Sequence, residues 1–294
     1  MPLFSRGLDI NLTVPREGKL DDLMAISRLL RTEKHRFLGV PGSELPALVT
    51  GSPTMLLVSG QAIWGVAVAG WPIHDVCWLR VIGFVNGLSP KDGIPALLGP
   101  FHALLRSKDV HHVFYAGDIS ADLWIQPQLQ AYGYVYDTHV VVYEKHTMDV
   151  PSLGNTQVRI RPVEPVDLAT ILEVDRTCFT SQWMKDEGVI GSSISVSPFF
   201  IAAEFDDEIV GYAFVSSHFD GHLIHLVRIA VDPAYQGLSI GVRLLAEVTL
   251  YARSVGAYTL ALNTQADNRN AQRLYEWFGF QRTNEQQVVM RYDL

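Results

Sequence analysis

Alternating apolar and polar positions divide the chain into short strands and amphipathic helices, which recur in the same order in both halves. Each half opens with a helical pattern, DDLMAISRLLR or PVDLATILEVDRTCF. Two strand patterns joined by a short turn follow, TMLLVSG with AIWGVAVAG and PFFIAAEF with EIVGYAFVSSH. A third strand, a helix, a strand, a short helix and a last strand complete each half. The predicted order is α-β-β-β-α-β-α-β, which indicates an α+β fold.

The two halves align with each other at an almost constant offset. Gly65 matches Gly211 and Gly133 matches Gly279, in both cases 146 residues apart. A period of this length is too long for a solenoid unit and is typical of a duplicated domain. We therefore predict two tandem domains, at residues 1–150 and 156–294, separated by a linker within HTMDVPSLGNTQ.

Composition and charge narrow the functional classes. The chain of 294 residues is 48% hydrophobic and 18% charged, which suits two globular cores. Its formal net charge of -8 argues against a nucleic-acid partner and would tolerate a cationic substrate. Cys77 and Cys178 are its two cysteines, and no His/Cys cluster has metal-ligand spacing, so we expect no metal site. The N-terminal segment lacks a leader pattern and no run of 18 apolar residues occurs, so we expect a cytoplasmic protein without a membrane partner.

Candidate chemistry lies in the second half, where a strand ending at Val231 runs into DPAYQGLSIG and then a helix. Gly237, Ser239 and Gly241 allow consecutive backbone N–H groups to point inward at the helix N-terminus, which is a favourable site for an anion. Further on, ADNRNAQRLYEWFGF predicts a short helix capped at Asp267 or Asn268 and ended by a glycine.

Together, QGLSIG and NRNAQRLYEWFGF resemble the Gcn5-related N-acetyltransferase (GNAT) superfamily. They match its Q/R-x-x-G-x-G/A loop and its N-x-x-A-x-x-L-Y-x-x-x-G-F helix, with Ser239 at the first glycine of the loop. A serine still offers its backbone N–H. The resemblance implies two tandem GNAT-like domains, each with a mixed, mostly antiparallel central sheet flanked by helices. It also implies acetyl-CoA as cofactor.

The resemblance assigns roles to individual residues. The pantetheine arm of CoA would pair with the strand at Ile229 and Val231, and Asn268 would contact the cofactor. Tyr275 would act as general acid for the departing thiolate; the alternative is a packed helix tyrosine. The CoA pyrophosphate would bind the amides of Gln236, Gly237, Leu238, Ser239, Ile240, Gly241 and Val242.

The group that removes the amine proton is less defined. His225 occupies the position at which the histone-acetyltransferase branch of the family carries a glutamate, and strand alternation predicts that it shares a face with Ile229 and Val231. Histidine titrates near neutrality, which suits a base. A structural strand histidine and a water chain remain the alternatives. The position used by the ribosomal-protein acetyltransferase branch holds Asn263, which cannot act as a base.

The first half supplies an internal comparison. Pro90 and Pro95 stand opposite Gly237 and Val242, and proline offers no N–H to a phosphate. At the other matched positions, Trp78 replaces His225, Asp122 replaces Asn268 and Leu129 replaces Tyr275. We therefore predict that the first domain is a degenerate GNAT-like copy that lacks the CoA loop.

The leading interpretation is an acetyl-CoA-dependent N-acetyltransferase in which a primary amine attacks the thioester directly within a ternary complex. The acceptor would be a small molecule or a peptide, and the protein a monomer or weak homodimer. The tandem layout is also similar to mycothiol synthase, which suggests acetylation of a small cysteinyl-sugar amine. A third interpretation is a non-catalytic acyl-CoA-binding regulatory module.

Overall fold

The computed structural model describes residues 8–70 and 72–294; the leader prediction for residues 1–7 lies outside them. The eight helices of the described residues are α1 (Leu23–Thr32), α2 (Leu45–Gly51), α3 (Pro90–Arg106), α4 (Ile119–Tyr132), α5 (Leu168–Cys178), α6 (Glu187–Val196), α7 (Ile240–Ser254) and α8 (Arg269–Trp277). The strands are β1 (Val14–Glu17), β2 (His35–Leu38), β3 (Thr54–Ser59), β4 (Ala62–Ala69), β5 (Val76–Phe84), β6 (His112–Ala116), β7 (Val135–Lys145), β8 (Arg159–Pro162), β9 (Phe200–Phe205), β10 (Glu208–His218), β11 (Leu223–Val231), β12 (Thr259–Gln265) and β13 (Gln281–Asp293).

The chain forms two compact units, and the second is inserted near the end of the first. Unit 1 comprises residues 1–138 and 287–294, and unit 2 comprises residues 139–286. The predicted boundaries at 150 and 156 therefore differ from those of the compact units. The difference arises because the last strand of each half changes unit along its length: residues 140–145 pair with β12 in unit 2, and residues 289–293 pair with β6 in unit 1.

Each unit contains one mixed sheet, as predicted from the fold class. The strand order in unit 1 is β1-β3-β4-β5-β6-β13, with β2 also paired to β5, and in unit 2 it is β7-β12-β11-β10-β9-β8. The parallel pairs are β5 with β6 and β11 with β12, and the other pairings are antiparallel. Helices cover both faces of each sheet, because apolar side chains alternate to both sides of the central strands.

The core of unit 2 has two parts, one on each face of its sheet. The α7/α8 face holds a cluster that includes Leu244, Val248 and Phe278, and the α5/α6 face holds one that includes Ile171, Tyr212 and Phe214. Unit 1 is divided in the same way, with separate clusters against α3/α4 and α1/α2. The helical patterns read from the sequence therefore bury their apolar stripes as expected.

The repeat is preserved in the structure. Gly133 and Gly279 both follow the second helix of the aligned pair and have positive φ angles of 115° and 94°. Both positions end a helix in a left-handed conformation that glycine adopts without strain. The sequence pattern did not predict the short elements β1, β8 and α2, the helix α6, or β2, which has no counterpart in unit 2.

Candidate active site

The glycine-containing loop of unit 2 that the sequence predicts as an anion site, residues 236–241, lies between β11 and α7. Gly237 and Ser239 have φ angles of 82° and 58°. The first backbone bond of the helix is donated by Arg243 to the Ser239 carbonyl. A serine in this left-handed conformation costs on the order of 1 kcal/mol relative to glycine.

The loop amides are available to an anion. Within the described residues, the N–H groups from Gly237 to Val242 donate no hydrogen bond, and no side chain caps the helix. Gln236 differs from this expectation, because its own N–H reaches the Pro233 carbonyl at 3.4 Å and its side-chain amide donates to the Val231 carbonyl at 3.1 Å. Gln236 therefore braces the loop against the strand, and six consecutive amides remain for a phosphate.

The strand leading into the loop parts from its neighbour. The pairing of β11 with β12 extends from Leu223 opposite Thr259 to Leu226 opposite Leu262 and stops there. Beyond this point β11 stays paired with β10 as far as Val231. The edge of residues 227–231 that faces β12 therefore has no strand partner, although the Val231 carbonyl already accepts hydrogen bonds from the Gln236 side chain and the Cys178 sulfur. An extended chain with amide groups can pair with the remaining groups of this edge as a strand.

A β-bulge in β11 coincides with the opening. Phe214 of β10 pairs with Arg228, while the next residue, Val215, pairs with Leu226, so Val227 is the extra residue. The bulge reverses the alternation of side chains along the strand. Ile229 and Val231 pack against the α7/α8 cluster together with Leu226.

His225 therefore lies on the opposite face from Ile229 and Val231, and the alternation argument made from the sequence is wrong. Its neighbours Ile224 and Leu226 both point toward α7 and α8, so His225 points toward the α5/α6 side, as does Ala230 beyond the bulge. The imidazole is half-buried. Burial, with a smaller contribution from His218, lowers the pKa of His225 to about 4.

Tyr275 is buried in α8 against the aromatic rings of Tyr143 and Phe280. Its hydroxyl makes no hydrogen bond to the part of the chain that the structure describes. Burial raises the pKa of Tyr275 to about 12, so the hydroxyl keeps its proton at neutral pH. Asn268 is exposed and caps α8, accepting a hydrogen bond from the Ala271 N–H at 3.2 Å.

The structure also reveals a buried ionic cluster that the sequence prediction missed. Arg228, next to the bulge, forms an ion pair with Asp175 of α5 at 2.6 Å. A sequence signal existed, because Asp175 lies one turn after Ile171 on the buried face of a helical pattern. A charged residue on such a face requires a buried partner.

Unit 1 differs from unit 2 at each of these features. Its β5–β6 pairing likewise stops early, from Val76 opposite His112 to Trp78 opposite Phe114, but β2 then pairs with the remaining edge of β5 from Leu38 to His35. Helix α3 begins at Pro90, the residue aligned with Gly237, so helix replaces the loop. Trp78, Asp122 and Leu129 hold the other matched positions; Leu129 is fully buried and Asp122 accepts a hydrogen bond from Tyr115.

Metal binding and membrane insertion would each require particular features of the described residues. No group of three or more potential metal ligands occurs among them. None of the helices in residues 8–70 and 72–294 has both the length and the apolar character needed to cross a bilayer.

Several known proteins that resemble this chain are acetyltransferases. Residues 168–280 match the acetyltransferase (GNAT) family model. A Bacillus subtilis protein provisionally named ribosomal protein bS18-alanine N-acetyltransferase is 27% identical over 128 residues, 43% of this chain and 82% of that protein. The N-alpha-acetyltransferase RimI of Mycobacterium tuberculosis is 38% identical over 90 residues, 28% of this chain and 52% of RimI.

A solved structure with a similar fold extends over both units. The tandem GNAT protein of the clavulanic acid biosynthesis pathway superimposes with a TM-score of 0.63 at 12% identity, covering 96% of this chain and 98% of that one. At this identity the likeness concerns the fold. The predicted fold class is confirmed, and the segment of residues 168–280 is similar to the GNAT family of acetyltransferases.

Proposed function

We propose that the protein is an acetyl-CoA-dependent N-acetyltransferase that acetylates a primary amine by direct attack in a ternary complex, with one cofactor site in unit 2. The observation that carries the proposal is the juxtaposition of six unpartnered amides, from Gly237 to Val242, with the open edge of β11. The two features suit the two ends of CoA: a pyrophosphate for the amides and a pantetheine amide chain for the strand edge at Ile229 and Val231.

When bound, acetyl-CoA supplies an acetyl group on a thioester, which a neutral amine can attack. The residues of this chain bind, orient and move protons. Tyr275 is proposed to hold, at its phenolic oxygen, the proton that the leaving sulfur requires, because its raised pKa of about 12 keeps it protonated. Asn268 is proposed to stabilise the start of α8 and to contact the cofactor there.

His225 is proposed as the group that receives the amine proton. It lies on β11 two residues before the bulge and faces the α5/α6 side. A pKa of about 4 leaves the imidazole neutral near pH 7 and able to accept a proton, although it makes the histidine a weak base. A water path to solvent is the alternative acceptor.

Unit 1 is proposed to be a degenerate copy that binds no CoA. Strand β2 occupies the edge of β5 that corresponds to the open edge of β11, and α3 starts where the loop would be. Together with Pro90 and Pro95, which offer no N–H to a phosphate, these features argue against a cofactor site in unit 1. A stoichiometry of one acetyl-CoA per chain follows.

The acceptor is proposed to be a small-molecule or peptide amine. The names of the two bacterial relatives, an alanine N-acetyltransferase and an N-alpha-acetyltransferase, favour a peptide N-terminus, and both matches involve unit 2. The tandem fold keeps a small cysteinyl-sugar amine as the second candidate. A monomer or weak homodimer in the cytoplasm completes the proposal.

The test is a thiol-release screen with acetyl-CoA against alanine-starting peptides, amino acids, polyamines, aminoglycosides and a cysteinyl sugar. We expect release with one of these classes, and calorimetry should give one acetyl-CoA per chain. Two bound molecules per chain would refute the proposal for unit 1. Binding without thiol release from any amine would instead indicate a regulatory acyl-CoA-binding module.

A further inference from the structure

Arg228 is a buried arginine whose three guanidinium nitrogens each donate a hydrogen bond. Its Nε and Nη2 donate to the two carboxylate oxygens of Asp175, both at 2.8 Å, and its Nη1 donates to the Trp183 carbonyl at 2.8 Å. The guanidinium carbon lies 3.4 Å from the centre of the Phe179 ring. A planar fork of this kind fixes direction as well as charge.

Asp175 is equally constrained. Besides Arg228, its carboxylate accepts hydrogen bonds from the Tyr212 hydroxyl and, at 3.1 Å, from the Lys185 N–H. Trp183 and Lys185 belong to the segment of residues 179–186 that joins α5 to α6, which we call the α5–α6 segment. Arg228 and Asp175 therefore each hold one backbone group of this segment.

The α5–α6 segment follows directly on a contact with the open edge of β11. Cys178, the last residue of α5, donates from its sulfur to the carbonyl of Val231 at 3.3 Å. Arg228 itself is on the open stretch, one residue after the bulge. The segment is thus anchored on the face of the sheet toward which His225 points, beside the edge assigned to the cofactor.

We propose that Arg228 and Asp175 are positioning residues, which hold the α5–α6 segment as a wall of the acceptor site and so determine how tightly the amine binds. This inference rests on the proposed function. It assigns neither residue to the reacting atoms: Arg228 acts through the Trp183 carbonyl, and Asp175 acts through the Lys185 N–H.

The energetics favour a role in geometry over one in stability. Burying an ion pair costs desolvation energy that its attraction only roughly offsets, so such a pair contributes little net stability compared with apolar residues of the same size. Its directional hydrogen bonds, however, select one conformation of a segment that has no sheet or helix of its own. Misplacing a binding wall by about 1 Å can cost on the order of 100-fold in rate.

The experiment compares Arg228→Lys and Arg228→Met with the wild-type chain. A lysine keeps the charge beside Asp175, but its single ammonium cannot reproduce the fork that also reaches the Trp183 carbonyl. We measure KM and kcat for an alanine-starting hexapeptide, or for the amine that the wild type acetylates fastest, together with the calorimetric Kd for acetyl-CoA. Trypsin cleavage after Lys185 reports the order of the segment.

A matched control is available near the start of α5, at the opposite end of that helix from Cys178. Arg161 of β8 forms a similar fork, donating to both Asp167 oxygens at 2.6 and 2.9 Å and to Glu204 at 2.5 Å, without contacting the α5–α6 segment. Arg161→Met should lower the melting temperature and leave the acceptor KM unchanged.

For Arg228→Lys we expect an acceptor KM raised about 10-fold or more, an acetyl-CoA Kd within about twofold of wild type, and faster trypsin cleavage after Lys185. Arg228→Met should show the same pattern more strongly, or fail to fold, in which case the lysine variant carries the test. An unchanged acceptor KM in Arg228→Lys overturns the proposal, as does an equal rise in Arg161→Met. A wild-type chain that binds acetyl-CoA but acetylates no amine refutes the proposed function itself, and this inference with it.

Discussion

At the scale of single residues, Tyr275 combines burial with a hydroxyl that has no partner in the described residues. We expect Tyr275→Phe to reduce kcat by about 10²- to 10⁴-fold, because general acid catalysis contributes that much. The acetyl-CoA Kd should stay within about threefold of wild type, since the ring and its packing are retained. Steady-state kinetics and calorimetry give the two values.

Tyr143→Phe is the matched control for this variant. Tyr143 packs against Tyr275 at a ring-centre distance of 6.1 Å, and its hydroxyl donates to Glu276. Removing this second hydroxyl should leave kcat nearly unchanged. Equal losses in the two variants would mean that the hydroxyl of Tyr275 has no specific part in proton transfer.

The burial of His225 predicts how kcat/KM depends on pH. A general base is mostly in its unprotonated, active form when the pH is above its pKa. A pKa of about 4 for His225 therefore places the fall of kcat/KM at acid pH near pH 4, below the usual range of histidine. We expect His225→Gln to lower kcat/KM about 100-fold throughout pH 5 to 8 without changing the shape of the profile. The measurement is kcat/KM against pH for both proteins with the same amine.

The control is His222→Gln, at an exposed histidine stacked on Tyr258 in the same unit. Its profile should coincide with that of wild type. Full activity in His225→Gln would assign the proton to a water path. An acid limb near pH 6.5 that disappears in the variant would show instead that the pKa of His225 is not lowered.

The residues of the site differ in how far the sequence predicted them. The loop from Gly237 to Val242 was recognisable because small residues and a helix start are local features. The orientation of His225 was not, because one extra residue in β11 reverses every side chain before it, and pairing with β10 determines where that residue lies. The pairing of Asp175 with Arg228 was also not predicted, since its partners are 53 residues apart in the chain.

At the scale of elements, the two units share a sheet in which two parallel strands part, but they differ in what lies at the strand edge that this exposes. In unit 2 the parallel strands β11 and β12 part and leave an edge open, whereas in unit 1 the chain supplies β2 to the corresponding edge. The periodicity of long strands predicted the sheet, but β2 has four residues and its partner is distant. A strand this short carries too little pattern to be recognised.

The start of α7 depends on the linker, which crosses it. The Asn155 N–H donates to the Ser239 carbonyl at 3.2 Å, and Gly154 has a φ of 65°. A Cβ on Gly154 would lie 2.6 Å from the Ser239 oxygen and 2.5 Å from the Arg243 nitrogen. Because both are backbone atoms, Gly154→Ala should displace the loop and raise the acetyl-CoA Kd about 10-fold or more, as measured by calorimetry.

Gly256→Ala separates this effect from simple backbone strain. Gly256 has a φ of 76° but nothing within 4 Å of the position of a Cβ. An alanine there therefore has the unfavourable left-handed backbone conformation without a steric clash. It should lose about 1 kcal/mol of unfolding free energy and bind acetyl-CoA as the wild type does. Normal binding in Gly154→Ala would show that the loop adjusts independently of the linker.

At the scale of the whole molecule, the internal repeat predicted two domains of one fold, and its glycines fall at equivalent places in the two units. The repeat could not reveal which residues complete each sheet. Both terminal strands have the alternation expected of a strand, whichever sheet they join. Their division between units follows from pairing with β6 and β12, and that information is distributed over the chain.

The division of the terminal strands predicts which fragments fold. A fragment of residues 151–294 lacks the segment that pairs with β12 from Val140 to Lys145, including the fully buried Tyr143. It also lacks Lys145, which donates to the Phe278 carbonyl at 3.0 Å. A fragment of residues 139–286 keeps all of these groups and corresponds to unit 2. We expect a cooperative thermal transition for 139–286, and aggregation of 151–294 through its uncovered sheet edge.

Circular dichroism and size-exclusion chromatography distinguish the two fragments. A 151–294 fragment that melts cooperatively and binds acetyl-CoA as well as 139–286 would contradict this assignment of strands to units.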